Sequence, residues 1–205
     1  MIQIFLARHG QDEDNVRGIL NGQRNQALTA LGIQQAEQSA EHIKASALVF
    51  EAVYSSPLQR AHKTAEIITN KLGIAHPIIL DTLIERDFGI MTGKETKDIE
   101  TICAPEIIKT ETITYFLSPE GAETFPDLIK RAQEVLREIN KRHQEGNILL
   151  VTHGDIGKMI YAAYYNLEWQ DVLAPFHFGN SELLILSPDS SADEAHFFKN
   201  KQYNL

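Results

Sequence analysis

Short apolar runs alternate along this chain with longer stretches that are apolar on one side only. Ile2 to Ala7 is an apolar run closed by Arg8 and His9, and it reads as a buried strand. Asn21 to Gln26 is rich in turn-formers. Thr29 then stands where a cap belongs, ahead of Leu31, Gln35, Ala36, Ala40 and Ile43 at helical spacing. Ala52 to Tyr54 predicts a second strand. Ser56-Pro57 reads as an N-cap with proline at the first helical position, and Leu58, Ala61, Ala65, Ile68 and Leu72 make the apolar stripe of a helix that Gly73 ends.

Ile78 to Leu80 predicts a third short strand. Residues 87–121, with Pro105, Pro119 and Gly121, are the least regular part. A long amphipathic helix follows through Phe125, Leu128, Ile129, Ala132, Val135, Leu136 and Ile139. Ile148 to Val151 is a buried strand, with a helix starting near Asp155. Leu183 to Leu186 is another strand, Ser187 to Glu194 a polar turn, and Ala195 to Phe198 a returning edge strand. Strands alternating with helices predict an α/β fold with a mostly parallel sheet and helices on both faces. The whole of 1–205 reads as a single domain, with residues 87–121 as an excursion over the active site.

Composition narrows the function. A chain of 205 residues is long enough for one substantial core and short for two. Its formal net charge is −9 and it has no Lys/Arg cluster, so no nucleic-acid partner is expected. An anionic ligand must then be met by a few cations gathered in one pocket. No apolar run approaches the roughly 18 residues of a membrane span, so no membrane partner is expected. The N-terminal run lacks a basic leader and a signal-cleavage pattern. The single cysteine, Cys103, fits a reducing cytoplasm. A homodimer is compatible with all of this.

In open α/β sheets ligands bind beyond the carboxyl ends of the strands. Arg8-His9-Gly10 follows the first strand. Ser55-Ser56-Pro57 follows the second, with Arg60 in the first turn of the next helix. Thr152-His153-Gly154 follows Ile148 to Val151. Strand position alone thus converges two arginines and two histidines on one sheet edge. These residue types suit phosphate chemistry. The guanidinium fork grips phosphate oxygens, and a helix start adds free N–H groups. Neutral histidine is a nucleophile near pH 7, and a second histidine can donate to developing charge. Singly, Arg-His-Gly could merely end a strand, His153 could be a core histidine and Arg60 a surface residue; their joint placement favours a site. His42, His62, His76, His143, His177 and His196 have no such setting and read as structural or solvated.

The chain resembles the histidine phosphatase superfamily in its phosphoglycerate mutase-like branch. The resemblance rests on Leu6-Ala7-Arg8-His9-Gly10 with Asn15, Leu28 to Ala36, Tyr54 to Ala61 with Thr64-Ala65, and Leu83 to Gly89 with Gly93. It continues through Glu120 to Thr124 with Arg131, Val151 to Gly154, and Gly179-Asn180-Ser181, in the family's order over nearly the whole chain. It implies a three-layer α/β/α sandwich and no metal or other cofactor. It implies His9 as the phosphorylated nucleophile, with Arg8, Arg60 and His153 as the phosphate clamp. Glu85 resembles the proton donor to the leaving oxygen, with Asp12, Glu13 and Asp87 as nearby rivals. Asn15 and Gly22 resemble substrate-pocket residues, with the Thr152 and Asn180 backbone near the pocket. The implied partner is a small phosphorylated metabolite.

The chain departs from the family pattern at Gln11 and Asp12 (often Glu and Thr or Ser), Asn25 and Ala27 (Asp and Pro), Thr92 (Glu) and Ala122 (Gly). No core catalytic residue is lost. The expected activity is phosphomonoester hydrolysis through phosphohistidine. The runner-up is a 2,3-bisphosphoglycerate-dependent phosphoglycerate mutase, which must hold a second phosphate and a carboxylate. No arginine lies between Asp87 and Lys130, where such cations would sit, and the chain looks short there. Arg17 or Arg24 could supply them instead. A metal hydrolase built on His9, His153 and Asp155 lacks close-spaced ligands and would set two arginines against its cation. An inactive binding module of the same fold ranks below these.

Overall fold

The computed structural model describes residues 1–111, 113–174, 176, 178–189 and 195–198. Strand β1 (Ile2–Arg8) leads to a short helix α1 (Glu13–Arg17) and then α2 (Ala30–Ala45), whose first turn is capped by Thr29 accepting from the Gly32 N–H. Next come β2 (Ala52–Ser55), α3 (Gln59–Leu72) and the two-residue β3 (Ile78–Ile79). The excursion contains 3-10 turns, α4 (Ile99–Cys103) and a hairpin of β4 (Ile107–Lys109) with β5 (Thr114–Phe116). Then follow α5 (Phe125–Arg142), β6 (Gly146–Thr152), α6 (Gly154–Tyr164), β7 (Leu183–Leu186) and β8 (His196–Phe198). His177 and the end of the polar turn, residues 190–194, lie outside the described residues.

The six-stranded sheet has the order β3-β2-β6-β1-β7-β8. The first four strands are parallel, and β7 and β8 add an antiparallel edge. Because side chains alternate across a strand, β1 feeds two cores. Ile4 and Leu6 join Leu128, Ala132 and Ile160 under α5 and α6. Phe5 and Ala7 join Ile43, Ala65 and Ile68 under α2 and α3. The central strands are therefore apolar on both sides, as parallel strands covered by helices must be. This is the mostly parallel α/β/α sandwich expected from the alternation. Among the described residues no helix is long and apolar enough to cross a membrane.

One local expectation fails. Helix α3 begins at Gln59 behind Leu58, not behind Ser56. The Ser56 N–H continues the sheet ladder by donating to the Val151 carbonyl (3.0 Å), and its hydroxyl accepts from the Leu58 N–H and bonds His153. Thus engaged, Ser56 cannot cap a helix, and the chain needs Pro57-Leu58 to make the turn.

The excursion has a small core of its own, formed by Met91, Ile99, Cys103 and Phe116. Arg86 pins it to the sandwich. Its buried guanidinium lies 4.3 Å from the ring centres of both Phe116 and Phe125 and donates to the Phe116 carbonyl. Cation–ring contacts out of water are each worth on the order of 1–2 kcal/mol.

Candidate active site

The sheet register explains why the key residues meet. Arg8 pairs with Thr152, and Val151 pairs with both Ala7 and Ser55. The strands β1, β6 and β2 therefore end level, and His9, His153 and Ser56 each stand one residue past the ladder. The loops are knit there by the His9 N–H donating to the Thr152 carbonyl and the Ser181 N–H donating to the Arg8 carbonyl, both at 3.0 Å.

His9 is buried, and its ring lies 5.1 Å from that of His153, centre to centre. Its Nδ1 is 2.7 Å from the Gly10 carbonyl oxygen, which can only accept. Its Nε2 is 3.2 Å from Arg60 Nε, which can only donate. Together these partners put the proton on Nδ1 and leave the lone pair on Nε2. Burial, then the charges of Arg60 and Arg8, hold the His9 pKa well below its ordinary 6.5, so the imidazole is neutral at pH 7.

Arg60 is buried on the first turn of α3. Its terminal nitrogens donate to the Gly22 and Arg24 carbonyls (2.8 and 2.6 Å), and its Nε also lies 3.4 Å from the Asp12 carboxylate. With three of its five N–H groups so engaged, the fork is rigid and two N–H groups remain for a ligand. Arg8 donates from Nη1 to the Phe178 carbonyl (2.8 Å), while its buried Nε has no partner. His153 bonds Ser56 Oγ through Nε2 (2.7 Å), and its Nδ1 is also buried and without a partner. Burial, then Arg60, holds His153 well below its ordinary pKa. A buried donor normally finds a partner. Two orphans in one site are what an anion's binding would satisfy.

Glu85 is buried against the start of α6. One carboxylate oxygen accepts from the Arg86 and Ile156 N–H groups, and the other accepts from the Asp155 N–H at 3.2 Å. Those bonds favour the carboxylate. Burial outweighs them, and Asp155 adds repulsion, so the Glu85 pKa is raised. The rivals are placed otherwise. Glu13 is half exposed beside Arg17, and Asp87 accepts from the Gly89 N–H on the surface. Asp12 is fully buried, accepting from Asn21 Nδ2 (2.7 Å) and from the Asn15 N–H (2.9 Å). Asn15 is part of this scaffold, its Oδ1 accepting from the Asp12 N–H and from Asn180 Nδ2. Gly22 presents its carbonyl to Arg60 at a positive φ of 51°.

The roles of four residues of the site escaped the sequence reading. Asp12 holds Arg60, Ser56 holds His153, and Arg86 anchors the segment that carries Glu85. Lys158 lies buried in the cavity beside Arg8. Only Lys158 left a signal, as the one charged residue among Ile156, Met159, Ile160 and Ala162 on α6. Asp155 faces Arg86, with Oδ2 at 2.8 Å from its Nε, and is not turned to the histidines. Among the described residues no three His, Cys, Asp or Glu side chains gather as metal ligands.

The nucleophile loop is set by backbone packing. A Cβ added to Gly32 would lie 2.0 Å from the Gln11 carbonyl oxygen, and one added to Gly10 would lie 2.3 Å from the Gly32 oxygen. No side-chain rotation relieves such a clash. Gly32→Ala is expected to cost about 1–3 kcal/mol and to displace residues 9–12. Both the melting temperature and kcat/KM of the variant should fall. A variant with an unchanged melting temperature and full activity would show that this approach is looser than described.

Fold and site together define an α/β sandwich that gathers two histidines and two arginines at the carboxyl ends of its parallel strands. A family model of the histidine phosphatase superfamily (branch 1) matches residues 4–201, and the chain belongs to that superfamily. It is 33% identical over 156 residues to a 2,3-bisphosphoglycerate-dependent phosphoglycerate mutase of Methylobacterium sp. (strain 4-46), covering 74% of this chain and 75% of the relative. Among solved structures it is similar to a mycobacterial glucosyl-3-phosphoglycerate phosphatase complexed with VO3 (26% identity, TM-score 0.75, 90% of this chain and 92% of that one). It is also similar to a phosphoserine phosphatase from Entamoeba histolytica in complex with 3-phosphoglyceric acid (26% identity, TM-score 0.71, 90% of each chain). The near-equal shares covered mean that the mutase relative and this chain have nearly the same length. Overall length therefore does not separate the two activities.

Proposed function

We propose that the protein is a metal-independent phosphomonoesterase that hydrolyses a small phosphorylated metabolite through phosphohistidine. The phosphate enters between Arg8, Arg60 and His153. The His9 Nε2 lone pair attacks phosphorus, the ester P–O bond breaks, and protonated Glu85 gives its proton to the departing oxygen. The imidazole then carries positive charge, eased by the Gly10 carbonyl and by the Asp12 carboxylate 3.8 Å from Nδ1. Water, deprotonated by Glu85, attacks phosphorus. The P–N bond breaks, and inorganic phosphate leaves with the site restored. All of this takes place in one domain, under the excursion of residues 87–121.

The observation that carries hydrolysis over isomerisation is that the segment over the site supplies no arginine of its own, while Arg24, which reaches Gly93 of that segment, is paired with Asp14 at 2.7 Å. Asp87 to Lys130 contains no arginine, and Arg86 just before it is neutralised by Asp155 and packed among rings. A mutase must grip a second phosphate and keep water off the phosphoenzyme. The second reading is that mutase, which the name of the Methylobacterium relative favours. The test is incubation with 3-phosphoglycerate and catalytic 2,3-bisphosphoglycerate, alongside a panel of phosphate esters. We expect inorganic phosphate from at least one small ester and little 2-phosphoglycerate. Isomerisation at about 10 s⁻¹ or faster, the ordinary pace of a metabolic enzyme, would replace the phosphatase reading with the mutase.

Two arginines can balance the phosphate's charge and a neutral histidine can bond it, so exhaustive chelation should leave phosphate release unchanged. Loss of activity with EDTA, restored by one divalent ion, would point to a metal-assisted reaction instead.

A further inference from the structure

Asp12 stands where the resembled pattern often has Thr or Ser, neither of which carries a charge. Its side chain is fully buried, and Oδ2 lies 3.8 Å from His9 Nδ1, the ring nitrogen that does not attack. The described partners of its two oxygens are all donors. Asn21 Nδ2 reaches Oδ2 at 2.7 Å, the Asn15 N–H reaches Oδ1 at 2.9 Å, and Arg60 Nε stands 3.4 Å from Oδ2. That is the setting of an ionised carboxylate, which can only accept.

A charge at this point acts on both half-reactions. When Nε2 bonds phosphorus, the ring becomes an imidazolium whose N–H sits on Nδ1, the nitrogen 2.7 Å from the Gly10 carbonyl oxygen. In the second half-reaction water attacks, the P–N bond breaks, and its electron pair returns to Nε2. With Nδ1 still protonated, the departing group is a neutral imidazole. With that proton lost, it is an imidazolate, a far poorer leaving group.

We propose that Asp12 is a positioning residue that holds the proton on Nδ1 of phosphorylated His9 and so speeds transfer of the phosphoryl group to water. This rests on the reading that His9 becomes phosphorylated. The carboxylate that eases formation of the imidazolium thereby also governs how long the phosphoenzyme lives. Quick discharge suits a hydrolase, and it would work against an enzyme that must keep the group for a second acceptor.

The surrounding charges give the carboxylate its importance. Behind burial, Arg60 on α3 and Arg8 on β1 both press the His9 ring toward neutrality, and the neutral His153 ring past β6 brings no opposing charge. Around Asp12, burial raises the pKa most and Asp14 on α1 adds to it, while Arg60, the Asn15 N–H and Arg8 oppose it. Asp12 and Glu85 both support the Arg60 cation. An opposite charge within about 4–6 Å raises the pKa of a cationic acid, commonly by roughly one to three. Nδ1 should therefore keep its proton to higher pH with Asp12 than without it. Discharge should slow as the pH rises through that value.

The test uses potassium phosphoramidate, which phosphorylates histidine rings directly with release of ammonia and so loads His9 without an ester. Unsubstituted, Asp12→Asn and Asp12→Ser proteins are loaded, freed of reagent, and followed by the mass of the His9 peptide from about pH 6 to 9. Titration of Glu85 is common to all three and cancels from the ratio of rates. We expect both variants to discharge at least about tenfold more slowly at pH 8, with the decline setting in about one pH unit or more lower. Asp12→Ser carries the comparison if Asp12→Asn does not fold. Equal rates in all three proteins would overturn the role of Asp12. So would an equal slowing across the whole range with the limb unmoved, the mark of a misplaced ring. If the loaded proteins behave as expected but no ester ever phosphorylates His9, the phosphatase reading falls and the role of Asp12 stands. A His9 that phosphoramidate loads in none of the proteins would remove both.

Discussion

His9→Ala is expected to lower turnover by roughly 10⁴- to 10⁶-fold, the scale seen when a covalent nucleophile is removed, with the fold preserved. The size of the loss follows from the site's geometry. The nearest imidazole, His153, is already bonded to Ser56, and Arg8 and Arg60 can only bind. The fold should survive because His9 supports little around it. Its side chain bonds the Gly10 carbonyl and accepts from Arg60 Nε, and that nitrogen keeps Asp12 as a partner at 3.4 Å. The variant should therefore bind phosphate esters and unfold cooperatively near the parent's temperature. Near-parental turnover in a clean preparation would exclude His9 as the nucleophile.

Glu85→Gln should cost about 10²- to 10⁴-fold with alkyl phosphates and much less with 4-nitrophenyl phosphate, whose leaving group departs without a proton. The pH profile carries the same signature. The reaction needs neutral His9 and protonated Glu85. Neutral His9 is lost only as the pH falls through a pKa held well below 6.5, and protonated Glu85 is lost as the pH rises through a pKa raised above 4.5. The kcat/KM for alkyl esters should pass through a maximum between those two limits, falling at lower pH as His9 gains a proton and at higher pH as Glu85 loses one. Its alkaline limb should disappear in Glu85→Gln. Equal losses for both ester types, with that limb retained, would move the acid's role elsewhere, with Asp12 the first to examine.

Much of this site could be read from the chain because it depends on where strands stop. Ile4 to Ala7 and Ile148 to Val151 are uninterrupted apolar runs, so the positions of His9 and His153 beyond them follow from strand length alone. The level ends of β1, β2 and β6 did the rest. Residues that act through neighbours distant in sequence were not legible. Nothing near Asp12 announces that its carboxylate meets Arg60, or that Asn21 and Asn15 hold it there. Nothing beside Arg86 in the sequence shows that its guanidinium meets Phe116 and Phe125, which only the fold brings to it. The β4–β5 hairpin was hidden for a related reason. Ile107 to Lys109 and Thr114 to Phe116 are too short to show an alternating pattern, and one side of the hairpin packs on the excursion's own small core. Ser56 shows the converse. Its sequence signature was that of a helix cap, and the pull of the sheet ladder and His153 proved stronger.

The central claim is that a phosphoryl group passes from substrate to His9 and then to water. It is tested most directly by acid-free, rapid alkaline quenching of the enzyme during turnover of a hydrolysed ester, followed by intact-mass and peptide analysis. The account predicts a transient adduct of one phosphoryl group on the peptide that carries His9, stable in alkali, lost in acid, and decaying at the rate at which inorganic phosphate appears. No adduct during turnover, or one on a residue other than His9, would contradict it.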